Sequence, residues 1–107
     1  MSGLGDMGNL LKQAQEMQRQ VDRVKGELRA ATVEGLAGGG VVRVELSADR
    51  HEVKSVHVSP DAARSADPKL LEDLVLGALQ DALRRAAEAE REAIGRVTGG
   101  MQLPGLF

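Results

Sequence analysis

Three features of this chain carry side chains or backbone suited to chemistry. His51 and His57 have imidazoles that could hold a metal or move a proton. Glu72 and Asp73 are neighbouring carboxylates, the makings of an acid–base pair, and Gly38-Gly39-Gly40 is pliable enough to wrap a phosphate. Spacing argues against each. The histidines lack the i, i+4 partner of a helical zinc site. The glycines lead into Val41-Val42 rather than a Lys-Ser or Lys-Thr pair opening a helix, so a hairpin connection is expected. Glu72 and Asp73 follow Asp67-Pro68, a helix start, where the helix dipole favours acids. The 107 residues include no cysteine, which removes thiol nucleophiles, thiolate metal sites and disulfides. No catalytic residue, metal ligand, cofactor or small-molecule substrate is expected.

The remaining candidates are cations. Lys12, Arg19 and Arg23 share one helical stripe, interrupted by Glu16, and Lys25 and Arg29 form a second pair four residues apart. Arg84, Arg85, Arg91 and Arg96 lie on a later segment. Two readings fit them. Asp81 before Arg85 and Glu92 before Arg96 have the acid-before-base i, i+4 order of a salt-bridged, solvated helix surface. Alternatively, the cations meet phosphates once a dimer doubles them, a contact that is indifferent to base sequence and weakens steeply with salt. Gln13, Gln15, Gln18 and Gln20 would then add hydrogen bonds. The net charge of −2, from 14 basic and 16 acidic residues, is far from the basic balance common among nucleic-acid binders.

Positioning these residues falls to two long helices and a small sheet. Met7, Leu10, Ala14, Met17, Val21, Val24, Leu28 and Ala31 are separated by alternating steps of three and four, the a/d seam of a coiled coil. A first helix is expected from an Asp6 or Asn9 cap to about Ala31. The period then becomes two: Val33–Ala37, Val42–Leu46 and the Val56–Val58 pair read as a three-stranded antiparallel meander. Ser59-Pro60-Asp61 ends it. Asp67 as N-cap and Pro68 at the first helical position then open a helix to about Thr98. The fold class is therefore α+β, an α-β-β-β-α protomer whose two helices outrun the sheet and protrude.

The chain is expected to be a single domain over 1–107, with a flexible N-terminus at 1–8 and a C-terminal tail at 99–107. Its only aromatic residue is Phe107, so the core must come from Val, Leu and Ala, and self-association is the natural remedy for so thin a core. Met1–Leu11 lacks the features of a signal peptide, and no apolar run approaches the ~20 residues of a membrane span, so a cytoplasmic protein without membrane contact is expected.

Three segments resemble the YbaB/EbfC family of bacterial nucleoid-associated proteins: GNLLKQAQEMQ at Gly8–Gln18, LLEDLVLGALQDALRR at Leu70–Arg85, and GGMQLPGLF at Gly99–Phe107. The resemblance implies an intertwined homodimer with a central β-layer and paired helices projecting like tweezer arms. It also implies binding of double-stranded DNA with little or variable sequence preference, in nucleoid organisation or gene regulation. Lys12 falls within the matching KQAQ run, and Arg84 and Arg85 stand where the family has its DA-RR pattern. Arg19, Arg23, Lys25, Arg29 and Arg91 join the candidate DNA contacts by position on the helices alone. The competing expectation is a protein-interaction adaptor, gripping a component of the replication, recombination or regulatory machinery through the helix seams.

Overall fold

Asp67 opens the C-terminal helix as the sequence predicts: its carboxylate accepts the backbone N–H of Leu70 at 2.8 Å, and Pro68 occupies the first turn. The structure, a computed structural model, describes residues 3–98, with side chains over 6–97. The expected tail at 99–107 and its GGMQLPGLF motif lie outside the described residues. In chain order the elements are α1 (Gly3–Ala30), β1 (Thr32–Ala37), β2 (Val42–Ser47), β3 (Val53–Val58), α2 (Pro60–Ser65) and α3 (Pro68–Thr98). Helix α1 starts at Gly3, ahead of the Asp6 or Asn9 cap expected from sequence. Asp6 therefore lies in the first turn, where the helix dipole favours an acid. The short α2 is an addition to the expected order. Ser59 caps it by accepting the Ala62 N–H at 3.2 Å, and six residues are too few to leave a periodic signal.

The strands form an antiparallel sheet in the order β1-β2-β3. Gly38–Gly40 make the β1–β2 connection as a single tight turn, with φ of 62°, 73° and 99°, a region that side chains rarely tolerate. A register irregularity at Glu45/Leu46 pairs Leu46 with Val53, three residues before Val56. That bulge breaks strict alternation and hides the first half of β3 from a period-two pattern.

Pairing places Val33, Gly35 and Ala37 of β1, Val42, Val44 and Leu46 of β2, and Val53, Val56 and Val58 of β3 on one face. Helix α3 covers this face over β1 and β2. Val42, Val44, Leu46, Ala78 and Ala82 form the buried core, flanked by Val33, Leu74, Val75 and Leu79. Gly35 lets the layers approach so closely, because a Cβ there would overlap the Ala78 carbonyl oxygen and the Ala82 backbone. The third strand is left open. Val53 and Val56 are 55% and 52% exposed although they share the core-facing side.

A second core joins the helices: Val24 and Leu28 of α1 pack with Ala48 and Ala93, beside Ala89, Ile94 and Val97 of α3. The expected seam is thus only partly buried within one chain. Val21, Val24 and Leu28 are buried and Met17 is half-buried, whereas Ala14 and Ala31 are exposed and Met7 and Leu10 are 62% and 63% exposed. The reason is stagger. The helices span about 42 and 46 Å at 1.5 Å per residue, yet the molecule is 77 Å long, so the N-terminal half of α1 runs past the last described turns of α3.

Candidate nucleic-acid interface

All eight cations singled out from sequence are exposed, and the fold sorts them into three groups. Lys12 stands on the projecting part of α1, and Arg19 and Arg23 follow on the same stripe where Val21 and Val24 of the helix become buried. Lys12 and Arg19 flank a shallow depression with Gln13, Gln15 and Glu16. Arg19 pairs with Glu16 at 3.2 Å and Arg23 with Glu27 at 3.7 Å. Lys25 and Arg29 stand on the last turns of α1, separated from the first stripe by roughly a third of a turn of helix. They line a cleft with Leu28, Asp49, Arg50, His51 and Glu90. Arg84, Arg85 and Arg91 occupy α3, and the fold does not gather them with the α1 residues into one site.

Arg84 and Arg85 converge on Asp81. Both guanidiniums donate to its carboxylate, Arg85 through Nε at 3.1 Å, and the backbone N–H of Leu36 donates at 3.0 Å. The Leu36 N–H first, and then the two arginines, hold the Asp81 carboxyl down at about 2. Leu36 lies on the outer edge of β1, so Asp81 satisfies a donor that a free sheet edge would leave open and helps block that edge. The i, i+4 order of Asp81 and Arg85 is legible in the sequence; the Leu36 contact, spanning 45 residues, is not.

The apolar surplus of α3 lies on another flank. Leu76 and Leu83 are exposed, and Pro68, Leu71, Val75, Leu76 and Leu79 line an apolar groove with Glu72. Asp81, five residues beyond Leu76, is about 140° further round the helix. The cations at Asp81 and the uncovered leucines therefore face different surroundings.

Ion pairing does not disable the arginines for anions. The pairs of Arg19 and Arg23 are exposed on both sides and contribute about 0–1 kcal/mol. At Asp81 the carboxylate is largely covered, but the guanidiniums of Arg84 and Arg85 are more than half exposed. A guanidinium has five N–H donors, so it can hold a carboxylate and a phosphate together. A salt-bridged helix surface and contact with an anion are therefore compatible on the same side chains.

Arg50 and Glu90, which line the cleft beside Lys25 and Arg29, form a pair that the sequence does not signal. Arg50, in the β2–β3 turn, has a φ of 64° and pairs with Glu90 of α3 at 2.8 Å. The turn is braced by Ser47, whose hydroxyl donates to Asp49 at 2.6 Å and accepts the N–H groups of His51 and Glu52 at 3.1 and 3.0 Å. The Ser47 hydrogen bond, with help from the His51 N–H, keeps the Asp49 carboxyl below its ordinary range. His51 and His57 are both exposed, in the turn and on the polar side of β3 respectively. Among the described residues no three His, Asp or Glu side chains gather as a metal site, and no helix is long and apolar enough to cross a membrane.

Comparison with known proteins agrees with this architecture. The crystal structure of an uncharacterized protein from Helicobacter pylori superposes with a TM-score of 0.69, covering 87% of this chain and 94% of the other at 17% identity, a likeness of fold. A nucleoid-associated protein of Acetivibrio thermocellus is 43% identical over 104 residues, 96% of this chain and 91% of the relative. One from Alkaliphilus metalliredigens is 38% identical over 107 residues, 100% of this chain and 93% of the relative. The sequence profile of the YbaB/EbfC DNA-binding family matches residues 3–101. On the profile match and these relatives, the chain belongs to the YbaB/EbfC DNA-binding family.

Proposed function

We propose that this protein is a non-catalytic homodimer that binds double-stranded DNA through phosphate contacts from its helices, in the bacterial nucleoid and hence the cytoplasm, in nucleoid organisation or gene regulation. The observation that carries the reading is the display of Lys12, Arg19, Arg23, Lys25, Arg29, Arg84, Arg85 and Arg91 on two long helices, all of them exposed. The names of the relatives support the cellular setting. The second copy is argued from what one chain leaves bare: Val53 and Val56 on the helix-facing side of β3, and Leu76 and Leu83 on the neighbouring flank of α3. Burying such faces supplies the apolar area that a small, nearly aromatic-free core lacks.

The test is fluorescence anisotropy of a labelled random-sequence duplex, titrated with the protein at several salt concentrations. Binding whose logarithm falls linearly with log salt supports phosphate contacts and counts them, at about 0.9 per phosphate neutralised. Absence of binding at low salt moves the reading to a protein-interaction adaptor. That alternative is favoured by one observation, the exposed Met7 and Leu10 at the projecting end of α1.

A further inference from the structure

We propose that the cleft at the root of α1, between Lys25 and Arg29 on the helix and Arg50 in the β2–β3 turn, receives a phosphodiester of duplex DNA, with Arg50 exchanging Glu90 for the phosphate. The inference rests on the DNA-binding reading and extends the contact surface from the helices onto the sheet.

The geometry suits an anion. Leu28 is buried, which fixes the face of α1 on which Lys25 and Arg29 sit, on successive turns and both beside the cleft. Opposite them the turn is stiff. The Arg50 N–H donates to the Ser47 carbonyl at 2.9 Å, and the Ser47 hydroxyl holds the next two N–H groups. Arg50 is thereby kept at φ 64°, a conformation usually left to glycine or asparagine. A long cation held in a strained turn that its surroundings over-determine points to a role for that side chain.

The two acids of the cleft are not equivalent. Asp49 is tied to its own turn by the Ser47 hydroxyl and the His51 N–H, at 2.6 and 3.1 Å, and acts on Arg29 through charge attraction. Glu90 holds Arg50 at 2.8 Å, but the side chains are 37% and 26% exposed for Arg50 and Glu90, so water and anions reach the pair. Partly exposed pairs of this kind exchange readily. A phosphate entering beside Lys25 and Arg29 meets Arg50 at the far wall, with Glu90 as its rival for that guanidinium. The open cleft offers about 550 Å³, room for a phosphodiester group and its bridging waters.

The experiment compares the full chain with Arg50→Asn and Glu90→Gln in the duplex titration, with urea unfolding of each protein alongside. Asparagine tolerates positive φ, so the turn survives the loss of charge. Arg50→Asn is expected to bind roughly tenfold more weakly, with a log–log salt slope shallower by about one for each phosphate it no longer neutralises. Glu90→Gln is expected to bind roughly threefold more tightly, since a like charge is removed from the phosphate's path. Opposite effects on affinity, with similar effects on stability, support the exchange. If the pair is only a strut between turn and helix, both variants lower stability alike and leave affinity at the parent value, which overturns the proposal. A parent protein that binds no duplex overturns the DNA-binding reading as well; a parent that binds, with two unaltered variants, overturns this inference alone.

Discussion

Gly35 of β1 lies directly beneath Ala78 of α3, with no room between them for a single methyl group. The two layers meet backbone to backbone, so this glycine is a condition of the packing. Gly35→Ala should force α3 away from the sheet and cost about 1–3 kcal/mol, the usual range for overpacking, or more because backbone atoms must move. Gly77→Ala is the contrasting case. Its Cβ would stand 3.7 Å from the Ala37 methyl of β1, an ordinary contact between helix and sheet, and alanine within the helix should add roughly 0.5–1 kcal/mol. Urea unfolding of the two variants beside the parent reads both signs.

Asp81 gives the fold a specific acid sensitivity. Its carboxyl is lowered from 3.8 to about 2 by the Leu36 N–H, Arg85 and Arg84. The folded state therefore holds this proton less tightly than the unfolded chain does. The contribution is fully present above pH ~4 and fades as pH falls towards 2. In Asp81→Asn the side-chain oxygen can still accept from Leu36, but the charge is gone. The parent's stability advantage over this variant should shrink steadily between pH 4 and pH 2, followed by urea midpoints; a gap constant across that range would contradict the assignment.

Burial divides the α1 seam into two energetic halves. Leu28, 7% exposed in the interhelical core, should cost about 2–3 kcal/mol when replaced by alanine. Leu10, 63% exposed, should change stability by less than about 0.5 kcal/mol under the same substitution. Thermal unfolding distinguishes them. Equal losses would mean that the tip of α1 is covered in solution by another chain.

Replacing Arg84 and Arg85 together by glutamine should weaken duplex binding roughly tenfold and flatten its salt dependence by up to about two units per protomer. The assembly should keep its mass in sedimentation, because these arginines stand away from the uncovered leucines. Unaltered affinity would leave their role as partners of Asp81 only.

The open side of β3 supplies the matching test of assembly. Val53→Lys with Val56→Lys places two charges on a face that is more than half exposed in one chain, so the isolated fold should tolerate them. The expected result is a shift from dimer towards monomer in sedimentation equilibrium. A retained dimer would move the interface elsewhere.

Local chemistry makes much of this protein legible in its sequence. Asp67-Pro68 marks the start of α3, the alternation of Val42, Val44 and Leu46 marks a half-buried strand, and Asp81 four residues before Arg85 marks an ion pair. Each depends on residues within a turn or two of one another, where spacing alone fixes geometry. One local signal is fainter, a glycine inside strand β1, which flags close backbone approach; the bulge at Glu45/Leu46 removes another by taking Val53 out of alternation.

Only the tertiary structure decided which half of the α1 seam is buried, which strand stays uncovered, and how the cations are grouped. The Leu36–Asp81 and Arg50–Glu90 contacts join residues 45 and 40 positions apart. Periodicity assigns a residue to a face of its own element but says nothing of what that face meets. Stagger between α1 and α3, and the depth at which α3 settles over Gly35, are set by packing of the whole chain, and they determine which charges share a cleft.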